Sequence, residues 1–266
     1  MIFAPVIPAA GIGGYQFLHR TRPQQQAAFD AQPAIQRRVE DFATRIVRIE
    51  KPEDLVADRV LREVALGAFG LDEDIDSRYL IEQVLGSNTR DPGSLVNRFS
   101  DKRYFALARA FGFGDIGGPR TQDTGFADRI TELYRDRQFE IASGNVDPDM
   151  RLALGLDRDL GDIVSRAGLS QDAQWFTVMA TPPVRKVFEV ALNLPASFGT
   201  LDIDRQLSEF KTRAQKAFGT SDLVELNLPE SRDAIRTRFL ALSQLATFGT
   251  AQRSSASIAL TLLQSV

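Results

Sequence analysis

Apolar residues fall at Ile35, Val39, Phe42, Ile46 and Ile49, in steps of four, three, four and three, while Arg37, Arg38, Arg45 and Arg48 lie off that stripe. The spacing describes an amphipathic helix, and over barely two heptads it is a bundle helix rather than a coiled coil. The pattern starts near Gln24 and strengthens after Pro33. Leu55, Val56, Val60, Leu61, Val64 and Ala65 form the buried side of a helix opened by Pro52, with Glu53 and Asp54 at its positive end. Ser77 or Asp76 caps a short helix over Tyr79 to Leu85, Asp91-Pro92 opens another, and Ser100 caps one that ends at Phe111. Phe126, Ile130, Leu133, Tyr134 and Ile141 mark a helix from about Thr124 to Ala142. Asp147-Pro148 and Ser170 cap two more, and Thr181-Pro182-Pro183 closes one helix and opens the next. Ile203, Leu207, Phe210 and Phe218 define a further helix; Leu223 to Leu228 reads as an extended connector; Ile235, Phe239, Leu242 and Leu245 follow on a helix from Pro229. With neither a hairpin signal nor strand–helix alternation, the pattern predicts an all-α, multihelical fold.

A second regularity is the way these helices stop. Phe69-Gly70, Phe111-Gly112, Phe198-Gly199, Phe218-Gly219 and Phe248-Gly249 each follow an Ala, Ser or Thr. Glycine accepts the left-handed conformation that lets amides past a helix end reach back to its open carbonyls, and the Phe pins the last turn to the core. All five are read as structural helix stops. Ala65-Leu66-Gly67 is echoed by Ala153-Leu154-Gly155 and, with Asn for Gly, by Ala191-Leu192-Asn193, which predicts duplicated helix-pair units. The expected organisation is an extended Pro/Gly-rich arm over residues 1–22, helical halves over 23–119 and 120–250, and an apolar C-terminal helix or arm over 251–266. In that last segment Ile258, Leu260, Leu262 and Leu263 are the candidate partner-binding residues.

Composition narrows the function classes. The 266 residues carry a net charge of −3, so no global basic bias points to nucleic acid or an anionic membrane. The absence of cysteine excludes disulfides, thiol catalysis and Cys-ligated metal. Only five of the 32 basic residues are Lys, a bias read here as one of coding. No apolar run is long enough to span a bilayer, and the N-terminus lacks the positive region of a cleaved signal peptide. His19 is the single histidine and sits beside Arg20 in the expected arm, which removes His-based metal clusters and disfavours a Ser-His-Asp triad. Asp72, Asp74 and Asp76 alternate like a calcium loop but lack its central Gly, and are read as capping residues. Gly112-Phe113-Gly114-Asp115-Ile116-Gly117 matches G-x-G-x-x-G, yet it follows a helix and opens none, so dinucleotide binding is rejected. No catalytic or cofactor-binding residue is assigned. Carboxylates are plentiful, which leaves two alternatives open: a hydrolase using a carboxylate pair in an inter-helical cleft, and a small-ligand-binding helical module.

The run Arg45-Ile46-Val47-Arg48-Ile49, Pro52 to Arg59, Ala65 to Asp72, and Asp101-Lys102-Arg103-Tyr104-Phe105 through Phe113 resembles an alphaproteobacterial family of unknown function, the domain of unknown function numbered twelve-seventeen. The likeness is clearest from Val39 to Phe113 and rests on helix-end motifs. Members look multihelical, and many are encoded among flagellar basal-body and rod genes. The resemblance therefore implies a flagellum-associated structural or assembly role, with a basal-body, rod or hook component as protein partner. It brings no catalytic residues and no cofactor. The compartment stays open, cytoplasmic or flagellum-associated.

Overall fold

The computed structural model describes the backbone of residues 3–166 and 168–264, and the side chains of 3–166 and 168–247. Among the described residues the regular structure is entirely helical. In chain order the helices are α1 (Gly11–Asp30), α2 (Pro33–Ile46), α3 (Pro52–Ala57), α4 (Arg59–Phe69), α5 (Arg78–Leu85), α6 (Leu95–Arg98) and α7 (Arg103–Phe111). They continue with α8 (Phe126–Val146), α9 (Pro148–Val164), α10 (Gln171–Ala180), α11 (Pro182–Ala191), α12 (Ile203–Phe218), α13 (Leu223–Leu226) and α14 (Pro229–Gln264). Two 3-10 turns, Asp72–Asp74 and Ala196–Thr200, complete the set.

The chain forms two compact units, one of Met1–Val6 and Thr21–Ser143, the other of Ile7–Arg20 and Gly144–Val266. In the first unit α2 packs on α4, and α4 and α5 pack on α7. The α2 stripe is buried as its period requires: Ile35, Val39, Phe42 and Ile46 all face inward. Asp58 starts α4 by accepting from the amides of Val60 and Leu61 at 2.9 and 3.2 Å, a cap worth about 1 kcal/mol. In the second unit α11 packs against α9, α10 and α14. Trp175, fully buried, meets Phe188 edge-on at 5.3 Å and stacks on Phe210 at 5.7 Å, and its indole N–H donates to the Ser221 carbonyl at 2.9 Å. Burying rings of this size contributes roughly 1.5–3 kcal/mol each. Arg236, 4% exposed, donates to the Ala153 carbonyl and to Asp157 and Asp233, with its guanidinium 5.1 Å from the centre of the Tyr15 ring.

Three of the five Phe-Gly stops behave as the sequence predicts. Gly70, Gly112 and Gly219 end α4, α7 and α12 with φ of 71, 70 and 80°. Their phenylalanines differ: Phe111 is fully buried, whereas Phe69 and Phe218 are half-exposed, so the ring is not always an anchor. Phe198-Gly199 lies inside a 3-10 turn and ends no α-helix. The stop for α11 is Asn193, at φ 51°, with Asn193 N–H on Val190 O and Leu194 N–H on Glu189 O, both at 2.9 Å. Asn is the residue that most often replaces Gly in this role. Phe248 and Gly249 fall within the bounds of α14, which runs on to Gln264; Thr-Ala-Gln-Arg follows Gly249, and one glycine costs a helix about 1 kcal/mol without breaking it.

Other expectations also need correcting. Residues 11–22 are helical rather than an extended arm, because Gly14 lets the turn close on the Ala9 carbonyl: a Cβ there would lie 1.8 Å from that oxygen. The boundary between the units follows Ser143, not residue 119. Leu223–Leu226 is a helical turn whose Leu223 and Leu226 are buried, its apolar spacing serving one face of a turn instead of alternating. Residues 251–264 continue α14.

The glycine stops separate conformation from space. Gly219 and Gly199 both stand in the open, with nothing within 4 Å of where a Cβ would sit, and only Gly219 has positive φ. Gly219→Ala is expected to lower the unfolding free energy by about 1–2 kcal/mol, and Gly199→Ala to leave it within about 0.5 kcal/mol. Urea denaturation of the two full-length variants checks this; equal losses would contradict it.

Candidate functional site

A polar cluster of the first unit is built on the end of α4. Gly70 N–H bonds Gly67 O at 3.2 Å and Leu71 N–H bonds Leu66 O at 2.9 Å, the paired closure of a left-handed helix end. The carbonyl of Gly70, pointing away, accepts from the Arg103 guanidinium, which is also held by Asp101 at 2.7 to 3.1 Å. The 3-10 turn then places two carboxylates. Asp74 Oδ2 accepts from the Tyr104 hydroxyl at 2.9 Å, and Asp72 Oδ1 accepts from Gln138 Nε2 at 2.8 Å. The second Asp72 oxygen is buried and has no hydrogen-bond partner among the described residues. Gly67 is small for a reason: a Cβ there would lie 2.8 Å from the Tyr134 ring. On the flank of α4, Glu63 takes Arg59 at 2.9 Å and Arg38 at 3.3 Å.

The electrostatics hold these groups in their ordinary charge states at neutral pH. Burial would raise the Glu63 carboxyl, but Arg59 and Arg38 outweigh it and hold the group below the usual carboxylate range. Burial and then Asp74 push the Tyr104 hydroxyl up to about 12, and burial with Glu63 and Asp72 nearby takes Tyr134 to about 12. Both phenols are therefore protonated donors at neutral pH and neither is a base. Among the described residues no group of three or more His, Cys, Asp or Glu side chains is arranged to hold a metal ion. Two open clefts lie elsewhere. One of about 420 Å³ in the first unit is lined by Pro52, Glu53, Glu82, Gln83 and Ser94 among others; one of about 360 Å³ in the second is lined by Asp172, Asp204, Leu207 and Lys211. Lys211 is paired with Asp172 at 2.7 Å.

Of the residues singled out in the sequence, Gly70 belongs to this cluster, and Phe69 precedes it. Phe111 and Gly112 end α7, Phe218 and Gly219 end α12, and Phe198 and Gly199 lie in the 3-10 turn of the second unit. Ile258, Leu260, Leu262 and Leu263, like Phe248 and Gly249, have side chains outside the described residues. Sequence reading found the acidic run but not its partners, Tyr104 and Gln138, which sit 30 and 66 residues away on α7 and α8. His19 is exposed on α1 beside Tyr15, with ring centres 5.7 Å apart. No described helix is long and apolar enough to cross a membrane.

Because both tyrosines ionise later in the folded chain than in the unfolded one, the stability they contribute is fully present below about pH 10 and is lost as pH rises towards 12. Tyr104→Phe and Tyr134→Phe together are expected to flatten that alkaline loss. Ultraviolet titration of tyrosinate, run alongside urea denaturation across the same pH range, measures it; an unchanged alkaline slope in the double variant would refute the assignment.

Comparison with known proteins bears on the fold and the family. The crystal structure of protein AGR_C_984 from Agrobacterium tumefaciens superposes with a TM-score of 0.73 at 22% identity, covering 91% of this chain and 99% of the other. That likeness is one of fold. No curated protein matches the sequence. The family model described as "Protein of unknown function (DUF1217)" matches residues 68–231, from the end of α4 into the start of α14. The chain with its glycine-stopped, arginine-latched helices is thus a member of the DUF1217 family.

Proposed function

We propose that this protein is a non-catalytic structural or assembly accessory of the bacterial flagellum, acting through helical surfaces and its C-terminal helix. The observation that carries the contact role is the far end of α14. From Thr250 to Gln264 the only charged residue is Arg253, and Ala251, Ser255, Ile258, Ala259, Leu262 and Leu263 recur at helical spacing as small or apolar positions. A helix with such a stripe gains stability by laying it against another surface. The flagellar assignment rests on the resemblance noted in the sequence, to a family many of whose members are encoded among basal-body and rod genes; a basal-body, rod or hook component is the partner this reading names.

A clean deletion strain is expected to swim poorly in soft agar and to carry shortened or missing filaments by electron microscopy. The full-length gene restores both, and a gene ending at Gly249 does not. Normal swimming and normal filaments in the deletion strain would overturn the flagellar reading.

A further inference from the structure

We draw no further inference here: the strongest candidate, the uncapped first turn of α5 beside the buried guanidinium of Arg62, is a helix N-terminus whose neighbouring arginine is already held by the Val56 carbonyl and shares its field with the exposed Asp76, so nothing in the structure points to a ligand there.

Discussion

The carbonyls left open at helix C-termini are the constraint this chain answers again and again. A fold cut into many short helices has many such ends, and each leaves several acceptors without an intrahelical donor. Left-handed Gly or Asn closes some of them. Arginine closes others: Arg62 donates to Val56 O at the end of α3, Arg103 to Gly70 O beyond α4, and Arg120 to Arg109 O near the end of α7. In the second unit Arg185 donates to Met179 O, Arg238 to Ala191 O and Arg213 to Asn193 O, at the ends of α10 and α11. Charge-assisted bonds of this kind contribute about 1.5–3 kcal/mol each where they are protected from water, and a cation at a helix C-terminus is favoured by the dipole as well.

That answer uses what arginine has and lysine lacks. Arg185 holds Glu189 at 2.7 Å and Gln206 at 2.8 Å while reaching the Met179 carbonyl, and Arg213 holds Glu209 and the Asn193 carbonyl, both at 3.0 Å. A planar fork with five donors on three nitrogens holds acceptors set further apart, and in a fixed geometry, than the three rotatable donors of one ammonium nitrogen do. Arg62 shows the cost of the same device inside the core. It is 1% exposed, burial pushes its guanidinium down from the ordinary range, and its Nε has no partner among the described residues.

What could be read from the sequence was whatever is decided locally. The α2 stripe, the Asp147 and Ser170 caps, and the glycine ends of α4, α7 and α12 each depend on residues within a turn or two of one another. The misreadings share a different cause. Gly11 to Gly14 looked too flexible for a helix, yet Gly11 packs so closely on the Gln244 side chain, far along the chain, that a Cβ would lie 2.3 Å from it, a constraint from outside the local sequence. The echo at Ala191-Leu192-Asn193 was visible, but the stop was assigned to the next Phe-Gly because glycine is the commoner signal. At the α4 latch the acidic run was legible as acid, while its role came from a tyrosine and a glutamine on other helices, which a single sequence does not bring together.

The Gly112 loop carries this distinction furthest. Its letters are those of a phosphate cradle, and the physical requirement behind them is the same: glycine where backbone must approach something closely. In a dinucleotide fold that something is a pyrophosphate at a helix N-terminus. Here it is the chain itself. Gly112 takes the left-handed end of α7, Gly114 meets the backbone at Gly86 and Ser87, and Asp115 is turned inward to Thr89 and Arg120. No helix opens directly after Gly117, so the loop does not lead onto the helix N-terminus on which a pyrophosphate sits. The spacing of glycines says that close approach is needed; which surface is approached is set by the elements on either side.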